Sequence, residues 1–199
     1  ESSNNNTIRN VYFLGNNSTQ AVTGISASGA WGQAVVFPNN GNRVENCRIE
    51  RAVYAIAFFG SAAATHTGTV ITENDLSNSG ANRVRRVGII VTGDDGAQIT
   101  ENNIGGIYSS ETQDAIGIAV GTQAIHFNKV TTFDTGVSNA LIARNRINGV
   151  TNDNTYSAAG IAIAGIAGGT NTIANNMISG VISDGNSFAL PAGIFVVGV

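Results

Sequence analysis

Short aliphatic pairs recur along this chain between polar residues, at spacings that suit strands. A six-residue pattern, aliphatic-x-x-small-x-aliphatic, occurs six times. Its copies are Ile8/Val11/Phe13, Val44/Cys47/Ile49, Ile71/Asn74/Leu76, Ile99/Asn102/Ile104, Ile142/Asn145/Ile147 and Ile173/Asn176/Ile178. Start-to-start spacings are 36, 27, 28, 43 and 31 residues. A second mark, Gly or Ala followed by Ile, interleaves with the first at Gly24-Ile25, Ala55-Ile56, Gly88-Ile89, Gly117-Ile118, Gly160-Ile161 and Gly193-Ile194. Two independent marks alternating six times define a repeat, which is the first thing to seek in such a chain.

Each mark is short, β-branched and period-two, as in Ile116-Gly117-Ile118-Ala119-Val120, and reads as strand. No stretch carries apolar residues at helical spacing for three turns, and the Gly and β-branched content disfavours helix. Strands without crossover helices cannot form a doubly wound sheet. They can wind into a coil in which each strand stacks on its equivalent one turn later. The predicted fold is therefore all-β: a parallel β-helix of about six coils, one domain over residues 1–199. Neither leucine-rich repeats nor a sandwich explains both marks: leucine-rich repeats would need more than the few leucines present, and a sandwich would show hairpin alternation without a shared Asn register.

The middle position of the first mark has a role in that geometry. Asn74, Asn102, Asn145 and Asn176, one strand spacing (~4.8 Å) apart, can hydrogen-bond along the axis as a ladder. A buried amide needs such partners. Cys47 and Val11 would end the ladder with groups that need none. The competing reading is that these asparagines mark turns; their fixed place between two core aliphatics favours the ladder.

Composition narrows the classes. Apolar residues make up 42% and charged residues only 12%, with 25 Gly and two Pro. Recurring Ile, Val and aromatics argue against disorder. A net charge of −3 gives no basic footprint for nucleic acid. No apolar run is long enough to span a membrane, so no membrane insertion is expected. The lone Cys47 excludes an internal disulfide framework and leaves the redox compartment open. Glu1 to Asn6 carry no signal-peptide pattern. With rungs beginning almost at once and ending inside a Gly-Ile strand, the chain is expected to be a segment of a longer protein with further domains.

The segments Asn42-Arg43-Val44-Glu45-Asn46-Cys47-Arg48-Ile49 and Ile99-Thr100-Glu101-Asn102-Asn103-Ile104 resemble the right-handed parallel β-helix repeat family, over about residues 6 to 197. Asn4-Asn5-Asn6-Thr7-Ile8-Arg9-Asn10 and Gly169-Thr170-Asn171-Thr172-Ile173 are also similar to segments of large secreted surface proteins of Bacteroidota. That resemblance implies a right-handed solenoid, an extracellular or cell-surface location, and export by the type 9 secretion system with a separate sorting domain. It speaks poorly to activity, because lyases, hydrolases, adhesins and tailspikes share the fold.

Candidate chemistry is sparse. Asp94-Asp95, the only paired acids, could split their pKa values as acid and base, but their flanking glycines read more simply as a turn. His66 and His126 lack the Gly-His-Gly context of β-helix hydrolases. A lyase base would come from Lys129, the only lysine, or from Arg83, Arg85 or Arg86; those arginines could also bind a uronate. Asn152-Asp153-Asn154 and Asp184-Gly185-Asn186 are too poor in oxygen ligands for a dedicated calcium site. Insertions around Trp31 to Gly41 and Ala124 to Val137 would project as loops, where binding concentrates. Trp31, Tyr108 and Tyr156 could stack on sugar rings or pack back on the coil. The expectation is a non-catalytic structural or adhesive segment, with no catalytic residues, metal or cofactor and a polysaccharide or other surface glycan as possible partner. The alternatives are a polysaccharide lyase or glycoside hydrolase, or a carbohydrate-binding module.

Overall fold

The computed structural model describes residues 1–16, 23–28, 35–122, 135–166, 168–184 and 189–197. They form three parallel sheets of six strands, with no α-helix among the described residues. The first sheet holds Thr7–Arg9, Arg43–Glu45, Val70–Thr72, Gln98–Thr100, Leu141–Ala143 and Thr172–Ala174. The second holds Tyr12–Leu14, Arg48–Glu50, Asp75–Ser77, Asn103–Ser109, Arg146–Asn152 and Met177–Ser183. The third holds Thr23–Ala27, Tyr54–Phe59, Val87–Thr92, Ala115–Val120, Ala158–Ala164 and Pro191–Val197. The chain visits the three sheets in that order six times.

Within every sheet a strand pairs in parallel with its equivalent one repeat later, so like residues form columns. Ile8, Val44, Ile71, Ile99, Ile142 and Ile173 stand in one such column of the first sheet. Ile25, Ile56, Ile89, Ile118, Ile161 and Ile194 stand in another on the third. Ile71, Ile99 and Ile142 are fully buried, and each contributes about 1.5–3 kcal/mol by leaving water. The four middle strands of the third sheet are buried on both faces. Tyr54, Val87, Ile90, Ile116 and Ala119 form a second apolar cluster apart from the main core, as parallel sheets require.

The Gly-Ile mark has a packing cause. A Cβ on Gly88 would lie 2.6 Å from the Gly117 carbonyl oxygen and 2.9 Å from Ile104 Cγ2 of the second sheet. A Cβ on Gly117 would meet Gly160 and Ile147 in the same way. The missing side chain lets the second-sheet isoleucine fill that space.

The corner between the first and second sheets rests on backbone conformation. Asn10, Asn46, Glu73, Glu101, Arg144 and Asn175, none of them glycine, have φ between +47° and +60°. Left-handed backbone at one residue swings the chain from one sheet to the next within two positions. The following residue, which is Asn74, Asn102, Asn145 or Asn176 in the last four repeats, then points into the corner.

Candidate functional site

The corner column is the most regular polar feature of the molecule. The Asn74 backbone N–H and Nδ2 both donate to Asn102 Oδ1, at 3.0 and 2.9 Å. Asn102 repeats this on Asn145 at 3.0 Å for both bonds, and Asn145 on Asn176 at 2.9 Å for both. Each Nδ2 also donates to a carbonyl one repeat back: Asn74 to Val44, Asn102 to Ile71, Asn145 to Ile99 and Asn176 to Ile142. Asn74, Asn102 and Asn145 are each 1% exposed. Their polar groups are paired where water cannot reach them, which removes the cost of burying an amide. Cys47 occupies the next place back: its N–H donates to Asn74 Oδ1 at 2.9 Å, and its thiol faces the Glu45 and Ile8 carbonyls.

A shorter amide pairing stands at the corner before the first sheet. Asn6 donates through N–H and Nδ2 to Asn42 Oδ1, and the Ala140 N–H donates to Asn171 Oδ1 at 2.9 Å. Thr69 and Ala97 occupy that corner in the repeats between. This column does not stand out in the sequence because only Asn6, Asn42 and Asn171 of its six occupants are asparagine, and they do not fall in three successive repeats.

Between the second and third sheets the structure gathers Arg83, Arg85, Arg86 and Tyr108. The Arg83 guanidinium lies 4.0 Å from the centroid of the Tyr108 ring, and the Tyr108 hydroxyl donates to Asp153. That bond is the main reason the phenol is held above its usual range. Arg85 pairs with Glu111 at 2.9 Å. Arg86 lies over the Tyr54 ring and donates to its hydroxyl, and burial pushes that phenol up. Arg85 and Arg86 are thus engaged, and neither is a free base. Arg83 enters no ion pair among the described residues.

The remaining candidates do not converge. Tyr156 is half-buried, and its backbone carbonyl accepts from Ser183 Oγ. Trp31, His126 and Lys129 lie outside the described residues. Asp94 and Asp95 are successive residues of a short strand and face opposite ways, Asp94 buried and Asp95 exposed. They cannot act on one substrate together. Hydrogen bonds from Asn139 and Ser138 hold the Asp95 carboxyl below its usual range. Asn152 is spent on Asn154 N–H and the Gln113 carbonyl, and Asp153 on Tyr108. Among the described residues no three His, Cys, Asp or Glu side chains are grouped to hold a metal ion.

The described residues include two notable concavities. One of about 490 Å³ runs over the second sheet, with Gly105, Gly106 and Gly149 among its lining and Asn103, Arg146 and Asn148 exposed in it. The other, of about 580 Å³, lies against the first repeats between Ile8, Ile25, Val35, Phe37, Asn42 and Phe58. No protein-family model, curated protein or solved structure matches the chain.

Proposed function

We propose that the three sheets wind as one right-handed parallel β-helix and that the chain is a rigid, non-catalytic structural or adhesive segment. On this reading it belongs to a longer secreted bacterial cell-surface protein and extends into further domains. The observation that carries the reading is the asparagine column, which ties four successive repeats together along one line. Breaking one repeat away from the next ruptures three side-chain-mediated bonds there in addition to the strand ladders. Such an element resists local opening and can hold a distal domain at a fixed distance.

The polar surface supports the same reading. Arg85 and Arg86, the charged candidates with partners, spend them on Glu111 and Tyr54, and no acid–base pair converges on an open groove among the described residues. A glycan partner is the second reading, favoured by the polar trough over Gly105, Gly106 and Gly149 with Arg146 exposed beside it.

The test combines location with turnover. Antibodies to the chain should label intact producing cells, and uronic and neutral polysaccharides incubated with the protein should keep their length. Labelling only after lysis would refute the surface assignment. Shortened products would replace the structural reading with a lyase or hydrolase.

A further inference from the structure

A narrow fourth ribbon runs beside the three sheets. His66–Thr67 pairs in parallel with Asp94–Asp95, Asp95 bridges to Ser138, and Val137 bridges to Gly165. It links four successive repeats through few backbone bonds. These include His66 N–H to the Gly93 carbonyl at 2.8 Å and Ser138 N–H to the Asp94 carbonyl at 3.1 Å.

Three polar side chains in and beside this ribbon are buried without full partners. Asp94 is 1% exposed and neither of its carboxyl oxygens is hydrogen-bonded; His66 and Thr69 are both 0% exposed. His66 Nδ1 accepts from the Asn39 N–H at 2.9 Å, so Nε2 carries the ring proton; the Phe59 carbonyl lies near enough to pull the ring's pKa up but does not meet that proton with full hydrogen-bond geometry. The Thr69 hydroxyl is also unpaired. Thr69 turns its hydroxyl and amide toward Asp94, close enough to pull the acid's pKa down but without the geometry of full hydrogen bonds.

The groups around Asp94 supply no compensating cation. His66 stands in register one repeat back, and its Nδ1 bond to Asn39 opposes a second proton. Asp95 is adjacent and of like charge. Val137, opposite Asp94 one repeat on, is uncharged, as is Thr92 at the end of the third-sheet strand. No ion pair reaches Asp94 among the described residues. An ionised carboxylate in this place is uncompensated, which costs far more than a neutral acid.

We propose that Asp94 is a proton-binding site built into the fourth ribbon, and that its proton occupancy sets how tightly the third to fifth repeats are clasped there. With the proton on, the Asp94 O–H can donate to the Thr69 hydroxyl while its other oxygen accepts from Thr69 or His66. With the proton off, the buried charge favours opening of the ribbon. Burial, the dominant cause, raises the Asp94 pKa to about 6 from 3.8. The sign follows: the penalty is present above about pH 6 and relieved as pH falls toward 4, because the folded state then takes up a proton that the unfolded chain still lacks.

Urea unfolding of the chain and of Asp94→Asn, from pH 4.5 to 7.5, tests this. Asp94→Asn should be favoured over the parent at pH 7.5 and lose most of that advantage at pH 4.5. With a folded pKa of about 6 against 3.8 unfolded, the ratio of their folding constants should change by about 25-fold over this range. The same comparison in a His66→Gln background removes the imidazole's own titration. Should Asp94→Asn not fold, two readouts remain on the parent chain. The Asp94 carboxyl carbon should titrate well above ordinary aspartates by NMR. Exchange of the His66 and Ser138 amides, corrected for intrinsic rates, should quicken above pH 6. A pH-independent ratio, or an Asp94 midpoint at or below 4, would overturn the proposal.

Discussion

Asn102 donates to the single side-chain oxygen of Asn145 twice, through its backbone N–H and through its Nδ2, both at 3.0 Å. Its own Oδ1 accepts the same pair from Asn74. One amide therefore serves two repeats, and the cost of removing it falls on both.

Asn102→Ala strands the Asn74 backbone N–H and one of its two Nδ2 protons, and takes away the Nδ2 donor that Ile71 and Thr100 share. The expected loss is about 3 kcal/mol, since each buried group left unpaired costs about 1–3 kcal/mol. Asn102→Asp keeps the acceptor but aims a carboxylate at two carbonyls and Asn145 Oδ1. It should be the worse variant at pH 7 and recover in part at pH 4, where a protonated acid can donate. Urea midpoints at the two pH values check both outcomes.

Cys47→Asn should stabilise the chain by about 1 kcal/mol, the net worth of a typical internal hydrogen bond. The Cys47 sulfur faces the carbonyls of Ile8 and Glu45 at 3.7 and 3.3 Å, the counterparts of those Asn102 Nδ2 uses at Ile71 and Thr100. An amide there would meet partners already in place and extend the ladder by one repeat. A lower urea midpoint for this variant would show that the corner geometry does not carry over to the second repeat.

Gly117→Ala should cost about 1–3 kcal/mol, the usual range for overpacking. The new Cβ would sit 2.6 Å from the Gly160 carbonyl oxygen and 2.9 Å from Ile147 Cγ2, and the backbone oxygen cannot yield. Pairing it with Ile147→Val, which removes Cδ1 but keeps the Cγ2 that the new Cβ would meet, should return none of the loss because both clashes remain. A thermal melt of the single and double variants reads this directly.

What could be read from the chain is what repeats as residue type. Ile next to Gly, and Asn between two aliphatics, recur because the same side chain meets the same neighbour in each repeat. The left-handed corner did not announce itself. Its six occupants are Asn, Asn, Glu, Glu, Arg and Asn, and they share a backbone angle rather than a chemistry. Arg83 and Tyr108 were each singled out, but their stacking depends on loop paths after the second sheet that no pattern encodes. His66, Thr69 and Asp94 were harder still. The ribbon that joins them has only two residues per strand, too few for periodicity to register, and His66 and Asp94 are separated by a whole repeat.

His66 offers a last check on how the ribbon is built. Burial holds its pKa below the ordinary value of 6.5, against a weaker upward pull from the Phe59 carbonyl. The accepted bond from Asn39 acts in the same direction as burial, because a second ring proton on Nδ1 would collide with that N–H. For a base whose folded pKa is depressed, stability is complete above pH 6.5 and declines as pH falls toward the folded value, since the unfolded chain takes up the proton first. This slope is opposite to that of Asp94, so the parent chain should show a shallow net pH dependence near 6. His66→Gln, which can keep the Asn39 bond through Oε1, should remove the declining component and leave stability rising on acidification through that range. If the variant and the parent instead follow the same pH curve, His66 titrates normally and the ribbon is open to water.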